Sequence, residues 1–244
     1  MVDYLYKLGG IIMCGRYFLD VDFDKLQQRY HTTTSYADVK PRYNIAPTQM
    51  APVIVHENGD HALKIFKWGL IPYWTKVNDT GKGIINARVE TVHKLPSFRD
   101  SFLKRRCIVP ATGYYEWSTQ SSEKKPYLIR GKEENELFSL AGLWDVWHNQ
   151  LGESIYTYTI ITKKANSALE AYHSRMATIL DSKAEKLWMD HSLKEPKELL
   201  NLIESNTDIH VVVHRVAEAV NSVRNDYPEL IKPIGEDIQL TFNI

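Results

Sequence analysis

Val53-Ile54-Val55-His56-Glu57-Asn58-Gly59-Asp60-His61-Ala62-Leu63-Lys64-Ile65-Phe66 decides the fold class. Its apolar runs, Val53 to Val55 and Ala62 to Phe66, flank Asn58-Gly59, a dipeptide suited to a tight hairpin because both central residues of such a turn need positive φ. Working outward, strand-like runs follow at Ile84 to Arg88, Cys107 to Trp117, Tyr127 to Arg130, Leu137 to Trp147, Ile155 to Thr162 and His210 to Val216. The polar stretch Ser118 to Lys125 reads as a hairpin loop, and Pro41 to Pro47 as an irregular one. Helical spacing is sparser. Asp22 before Phe23, Leu26 and Tyr30 predicts a short capped helix, and Ser97 to Arg105, Ser167 to Tyr172, Lys183 to Met189 and Pro196 to Glu204 predict others. Ser182 with Glu185 reads as a capping box, and Pro196 suits a first turn. Strands and helices do not alternate regularly, so the chain is a β-rich α+β protein rather than a βαβ one.

The chain has 244 residues, 43% of them hydrophobic and 25% charged. Those proportions exclude disorder, collagen and coiled coil, and the length suffices for a full core without staples. Two cysteines make no disulfide framework. No apolar run approaches the roughly 20 residues that cross a bilayer as a helix, so no membrane partner is expected. Lys plus Arg equals Asp plus Glu at 30 each, which leaves no global positive field for sequence-blind binding to duplex DNA; any nucleic-acid contact must be local. With no secretion signal, a reducing cytoplasm is the expected compartment. No repeat, low-complexity tract or long linker divides the chain, and a monomer is expected.

Met13-Cys14-Gly15-Arg16-Tyr17 looks like a second beginning. Gly9-Gly10 lies just upstream of Met13, where codons rich in G would resemble a ribosome-binding sequence. Residues 1–12 are therefore read as an extension, an over-called start or a leader, and residues 13–244 as the single domain.

Spacing offers no metal site: Cys14 and Cys107 are distant, and the histidines form neither HExxH nor any pairing with CxxC. No glycine-rich phosphate loop appears, and no cofactor is expected. Cys14 stands out because it follows a removable methionine. As a first residue it would carry an α-amine with pKa near ~8 beside a thiol near ~8.5, both partly nucleophilic at neutral pH. Such a 1,2-aminothiol condenses with an aldehyde to an imine, which the thiol closes to a thiazolidine. The alternative is a buried structural cysteine.

The ordered set of motifs narrows this choice. It runs Met13-Cys14-Gly15-Arg16-Tyr17, Tyr43-Asn44-Ile45-Ala46-Pro47-Thr48, Trp68-Gly69-Leu70-Ile71-Pro72-Tyr73-Trp74, and Asn86-Ala87-Arg88-Val89-Glu90-Thr91. It continues through Arg106 to Ala111, Gly113-Tyr114-Tyr115-Glu116-Trp117, Ala141-Gly142-Leu143-Trp144, Ile161-Thr162 with Asn166, and His173-Ser174-Arg175-Met176. From Met13 to about Pro233 the chain resembles the SOS-response-associated peptidase family. The resemblance implies capture of abasic sites in single-stranded DNA as a covalent thiazolidine through the N-terminal cysteine, here Cys14, with self-processing peptidase activity. It also implies that Asn86, Glu116 and His173 complete the catalytic set. Ala177 and Ala217 stand where the family often has proline and serine, which bears on local loop shape.

An abasic deoxyribose is mostly a closed hemiacetal, so an acid and a base must open it. Glu116 lies among aromatic residues whose packing would raise its pKa and keep it protonated; the alternative is a strand glutamate facing water. His173 has the pKa of a proton shuttle, unless it is structural. Asn86 has a donor and an acceptor with which to orient the amine or a sugar oxygen, unless it satisfies backbone. Arg16 and Arg88 are candidate phosphate clamps. Trp74, with Asn44 and Pro47, is a candidate stack or wedge beside the lesion, and Thr162 a candidate phosphate donor. Other readings remain open: an amidohydrolase with an N-terminal nucleophile, a cysteine peptidase using Cys14, His173 and Glu116, and a non-enzymatic module for single-stranded DNA. The expected fold class is α+β, a single β-rich domain with a strongly twisted, barrel-like antiparallel sheet core flanked by a few short helices.

Overall fold

Asn58 and Gly59 both adopt positive φ, 54° and 92°. The turn they make sets an eight-pair antiparallel register from Glu57 opposite Asp60 to Met50 opposite Lys67. The computed structural model describes residues 14–35, 37–76, 81–118, 124–133, 135–205, 210–235 and 240–243, so the expected extension 1–12 lies outside the described residues. Its elements run β1 (Tyr17–Leu19), α1 (Phe23–Tyr30), β2 (Arg42–Ile45), β3 (Met50–Glu57), β4 (Asp60–Trp68), β5 (Asn86–Arg88), α2 (Arg99–Lys104), β6 (Arg106–Ala111) and β7 (Gly113–Trp117). Then come β8 (Pro126–Gly131), β9 (Phe138–His148), β10 (Ser154–Lys164), β11 (Arg175–Ala177), β12 (Ile179–Leu180), α3 (Ser182–Met189), α4 (Pro196–Glu204), β13 (His210–Arg215) and β14 (Leu240–Asn243).

The expected barrel is present. β4, β3, β6, β9 and β10 pair in that order, and β10 pairs back onto β4, closing a ring of five strands. Four junctions are antiparallel, but β10 meets β4 in parallel, as it also meets β5. Topology requires this departure: directions cannot alternate all the way around an odd ring. A second sheet, β14-β13-β8-β7-β1-β2, is antiparallel throughout and packs beside the barrel. Period-two alternation explains how it is covered. Tyr17, Tyr114 and Ile129 face the main core with Val53, Leu63, Ile108 and Ile160, while Phe18, Tyr115 and Leu128 face a smaller cluster with Val216, Val220 and Leu230.

Several sequence expectations change here. The single strand expected from Cys107 to Trp117 is two strands in different sheets, divided at Thr112, whose N–H donates to Phe18 O and whose Oγ1 accepts from Asp20 N at 2.9 Å. Pro41 to Pro47 contains β2, held by its ladder with β1. Ser167 to Tyr172 forms turns, because Asn166 collects the N–H groups of Leu169 and Glu170 and no longer run of bonds develops. Asp181, not Ser182, caps α3, accepting from Lys183 N and Ala184 N at 2.9 and 2.8 Å. Asp22 caps α1 and Pro196 opens α4 as expected.

Two features hold the functional end of the barrel. Arg106 is fully buried and donates to the carbonyls of Phe102, Leu103, Trp188 and Asp190, tying together the C-terminal ends of α2 and α3, where the helix dipoles favour a cation. The chain leaving β4 crosses the segment before β5 so closely that a Cβ on Gly69, at φ 124°, would lie 2.3 Å from Lys82 O. Gly69 N donates to Tyr158 O, and Leu70 and Ile84 exchange backbone bonds, so this crossing sets where β5 begins. Gly69→Ala is therefore expected to cost roughly 2 kcal/mol or more of stability in urea unfolding, from strained φ and steric contact together. Gly81→Ala, at φ 45° with nothing within 4 Å, is expected to cost less.

Candidate active site around Cys14

Cys14 is fully buried at the entry to β1 and adopts φ 35°, an uncommon conformation for a residue with a Cβ. Its backbone N–H donates to Glu116 Oε1 at 2.9 Å. The contact follows from the β1–β7 ladder. Tyr17 lies opposite Tyr114, and Tyr115 N donates to Arg16 O, which carries the chain before Arg16 alongside Glu116. Glu116 is only 3% exposed, and burial pushes its carboxyl up to about 8, a rise that the Cys14 N–H bond partly opposes. Burial, and then the charge of Glu116, push the Cys14 thiol well above the ordinary thiol range. The pocket thus favours neutral groups: a protonated carboxyl beside a protonated thiol.

The other two expected catalytic residues come from strands flanking β10. Asn86 lies opposite Ile160 on β5, and His173 precedes β11, whose Ala177 lies opposite Thr162. The hydroxyls of Tyr17 and Tyr158 meet at 2.7 Å, linking β1, just beyond Cys14, to β10 two residues before Ile160. His173 is buried, and its Nδ1 lies 3.0 Å from Arg175 N and 3.2 Å from Arg175 O, so the backbone of Arg175 holds the ring by that nitrogen. That Nε2 is buried without a hydrogen-bond partner among the described residues. Desolvation lowers the pKa of His173, so the neutral ring dominates at neutral pH.

The residues expected to touch DNA fall into two groups. Arg16 and Asn44 are buried and bonded to each other at 2.6 Å; Arg16 also reaches Val220 O, and the Asn44 amide donates to the carbonyls of Val220, Ser222 and Asn225. In this arrangement they anchor the 218–225 segment. Thr162 is fully buried, its carbonyl accepting from Arg175 at 2.6 Å. Arg88, opposite Thr162, is exposed. Pro47 is half-buried in a turn pinned by Thr48 N donating to Trp68 O at 2.8 Å, which sets it beside the segment leading to Trp74.

Trp74 is 52% exposed and its neighbour Tyr73 54%. Their backbone is nevertheless fixed: Ile71 N donates to Thr157 Oγ1, Tyr73 N to the buried Asp145 carboxylate, and Trp147 Nε1 to Thr75 O. Two adjacent aromatic side chains are therefore half exposed on a segment whose backbone is hydrogen-bonded on both sides. Tyr73 was legible from its place beside Trp74 in the motif. The forked pairing of Arg175 with Glu90 carried no sequence signal, since 85 positions separate them. Among the described residues no group of His, Cys, Asp or Glu could hold a metal, and both cysteines are free thiols.

A closed five-stranded barrel thus packs beside a second sheet whose first strand follows a buried cysteine, held by its backbone nitrogen against a buried glutamate. The profile of the SOS response associated peptidase (SRAP) family matches residues 13–223, and the chain belongs to that family. It is similar to the abasic site processing protein YoqW of Bacillus subtilis, 37% identical over 90% of this chain and 99% of that protein. It is also similar to the abasic site processing protein HMCES of Gallus gallus, 34% identical over 80% of this chain and 67% of that one. Among solved structures, a protein from Bacteroides thetaiotaomicron superposes with TM-score 0.80 and 28% identity, covering 91% of this chain and all of that one.

The raised pKa of Glu116 has a sign that stability measurements read. Between the ordinary carboxylate pKa, near ~4.3, and about 8, the folded state keeps a proton that the unfolded chain has lost, so Glu116 makes stability fall as pH rises. Glu116→Gln removes this dependence. Relative to the parent, the variant is expected to gain about 2 to 4 kcal/mol between pH 5 and pH 9 in paired urea titrations. A stability difference that does not change with pH would mean that Glu116 ionises normally.

Proposed function

We propose that the protein captures abasic sites in single-stranded DNA by forming a thiazolidine between Cys14 and the ring-opened sugar aldehyde. One observation carries this reading: the Cys14 nitrogen sits 2.9 Å from the buried Glu116 carboxyl. Family membership and the names of the relatives support the substrate class. The exposed Tyr73–Trp74 pair and the exposed Arg88 suit a single strand, stacking a base and pairing a phosphate.

The reaction requires the amine of Cys14 to be free, because an acylated nitrogen has no available lone pair. Residues 1–13 must therefore be removed, and Glu116, already bonded to this nitrogen, is placed to protonate it as the leaving group of peptide hydrolysis. Once freed, an amine with pKa near ~8 shares a proton with a carboxyl of similar pKa, so a neutral amine and a protonated Glu116 coexist near neutral pH. The amine attacks C1, forming the N–C bond while the carbonyl electron pair moves onto oxygen. Glu116 protonates that oxygen, takes a proton back from the nitrogen and passes it to the resulting hydroxyl, which leaves as water, and the second amine proton returns to Glu116 as the imine forms. The Cys14 sulfur then adds to the imine carbon, its proton passing to nitrogen. One water is lost overall and the ring is closed. Asn86 orients the sugar, and the neutral His173 ring serves the opening of the hemiacetal.

Protein with Cys14 at its N-terminus is expected to give a heat-stable shifted band on a denaturing gel with an oligonucleotide bearing one abasic site. Cys14→Ala and protein retaining residues 1–13 are expected to give none. Absence of a band from the folded, processed protein would discard covalent capture and favour the peptidase or amidohydrolase readings. Trp74→Ala is expected to weaken non-covalent binding to single strands by about 1 to 3 kcal/mol in fluorescence anisotropy, the range for one lost base stack.

A further inference from the structure

The buried tyrosines of the described residues are Tyr17, Tyr30, Tyr114, Tyr115 and Tyr158. Four have partnered hydroxyls: Tyr17 and Tyr158 bond each other, Tyr30 bonds Ser139 Oγ at 3.0 Å, and Tyr115 donates to Tyr43 O at 2.7 Å. The hydroxyl of Tyr114 is buried with no hydrogen-bond partner among the described residues. A buried donor left without an acceptor is costly, and native folds usually avoid it.

Its position gives the reason. Tyr114 and Glu116 lie two residues apart on β7, so their side chains leave the same face of the sheet. Tyr114 is 1% exposed, and charge on either Cys14 or Glu116 opposes ionisation of its phenol, which places the ring in their neighbourhood. The phenol stays protonated and is a donor throughout the working pH range. The buried side of β7 that carries Glu116 thus also carries a neutral donor with no acceptor among the described residues.

We infer that the Tyr114 hydroxyl touches the substrate, donating a hydrogen bond to the C1 oxygen of the ring-opened sugar as the Cys14 amine attacks. Charge develops on that oxygen when the carbonyl pair moves onto it, and a preorganised donor in a dry pocket stabilises this charge more than the ground state. No proton is transferred by Tyr114; Glu116 completes the protonation. The inference rests on the thiazolidine reading, and the experiment separates the two.

Full chain processed to a free Cys14, checked by intact mass, is compared with Tyr114→Phe in three measurements. Crosslinking to an abasic oligonucleotide is expected to slow roughly tenfold or more, on the scale of losing one oxyanion donor. Affinity for a tetrahydrofuran abasic analogue, which lacks the C1 oxygen, is expected to be unchanged. The thermal midpoint is expected to stay equal or rise, because the substitution deletes an unsatisfied donor. Parent-like crosslinking by the variant overturns the inference and leaves thiazolidine capture standing. Parallel losses of crosslinking, analogue binding and thermal midpoint also overturn it, assigning Tyr114 a structural role. A parent that gives no crosslink overturns thiazolidine capture, and this inference with it.

Discussion

The parallel junction between β10 and β4 is the constraint on which the rest of this protein depends. A five-stranded ring must contain such a junction, and here it falls where the chain leaves β4 at Gly69. The Gly69 N–H bond to Tyr158 O and the backbone contact of Gly69 with the 82–83 segment then direct the chain into β5 along the same β10 edge. β10 thereby carries Asn86 and Arg88 on one neighbour and the approach from His173 on another. Through Tyr158 and Tyr17 it also reaches the strand that begins just after Cys14. The junction that closes the barrel also fixes where Asn86 and Arg88 lie along β10.

Low polarity around Cys14 governs the chemistry. Burial disfavours charge on the Cys14 thiol, the Tyr114 phenol and the Glu116 carboxyl, so these groups sit in their protonated forms near neutrality. In the proposed reaction, reactivity comes from proton transfer between an amine and a carboxyl rather than from a standing thiolate. The surface outside complements this. With no net charge, the chain has no global field to attract DNA from afar, and the proposed strand contacts are local, the aromatic pair Tyr73–Trp74 and Arg88.

Much of the fold was legible because local rules suffice. Asn58-Gly59 demands its hairpin, Asp22 and Pro196 mark helix starts, and period two marks most strands. The failures share a cause. β2, β11 and β12 are strands of four, three and two residues stabilised by neighbours remote in sequence, and no local pattern marks them. The break at Thr112 leaves little local mark because apolar residues run up to it from Cys107 to Ala111 and resume at Tyr114, and both halves are buried in their own sheets. Asp181 outcompeted Ser182 as a cap by one position, where both residues are good acceptors.

For the site, residue types and motif order by themselves singled out Cys14, a glutamate among aromatics and a family resemblance that the profile match bears out. Only the tertiary structure decided which groups meet. It set the Cys14 nitrogen against Glu116, turned Arg16 and Asn44 inward onto the 218–225 segment, held Tyr73 and Trp74 outward, and left the Tyr114 hydroxyl with no acceptor among the described residues. The physical reason is distance along the chain. Cys14 and Glu116 are 102 positions apart, and their hydrogen bond exists only because β1 pairs with β7. Sequence specifies what each residue can do, and strand pairing specifies to whom.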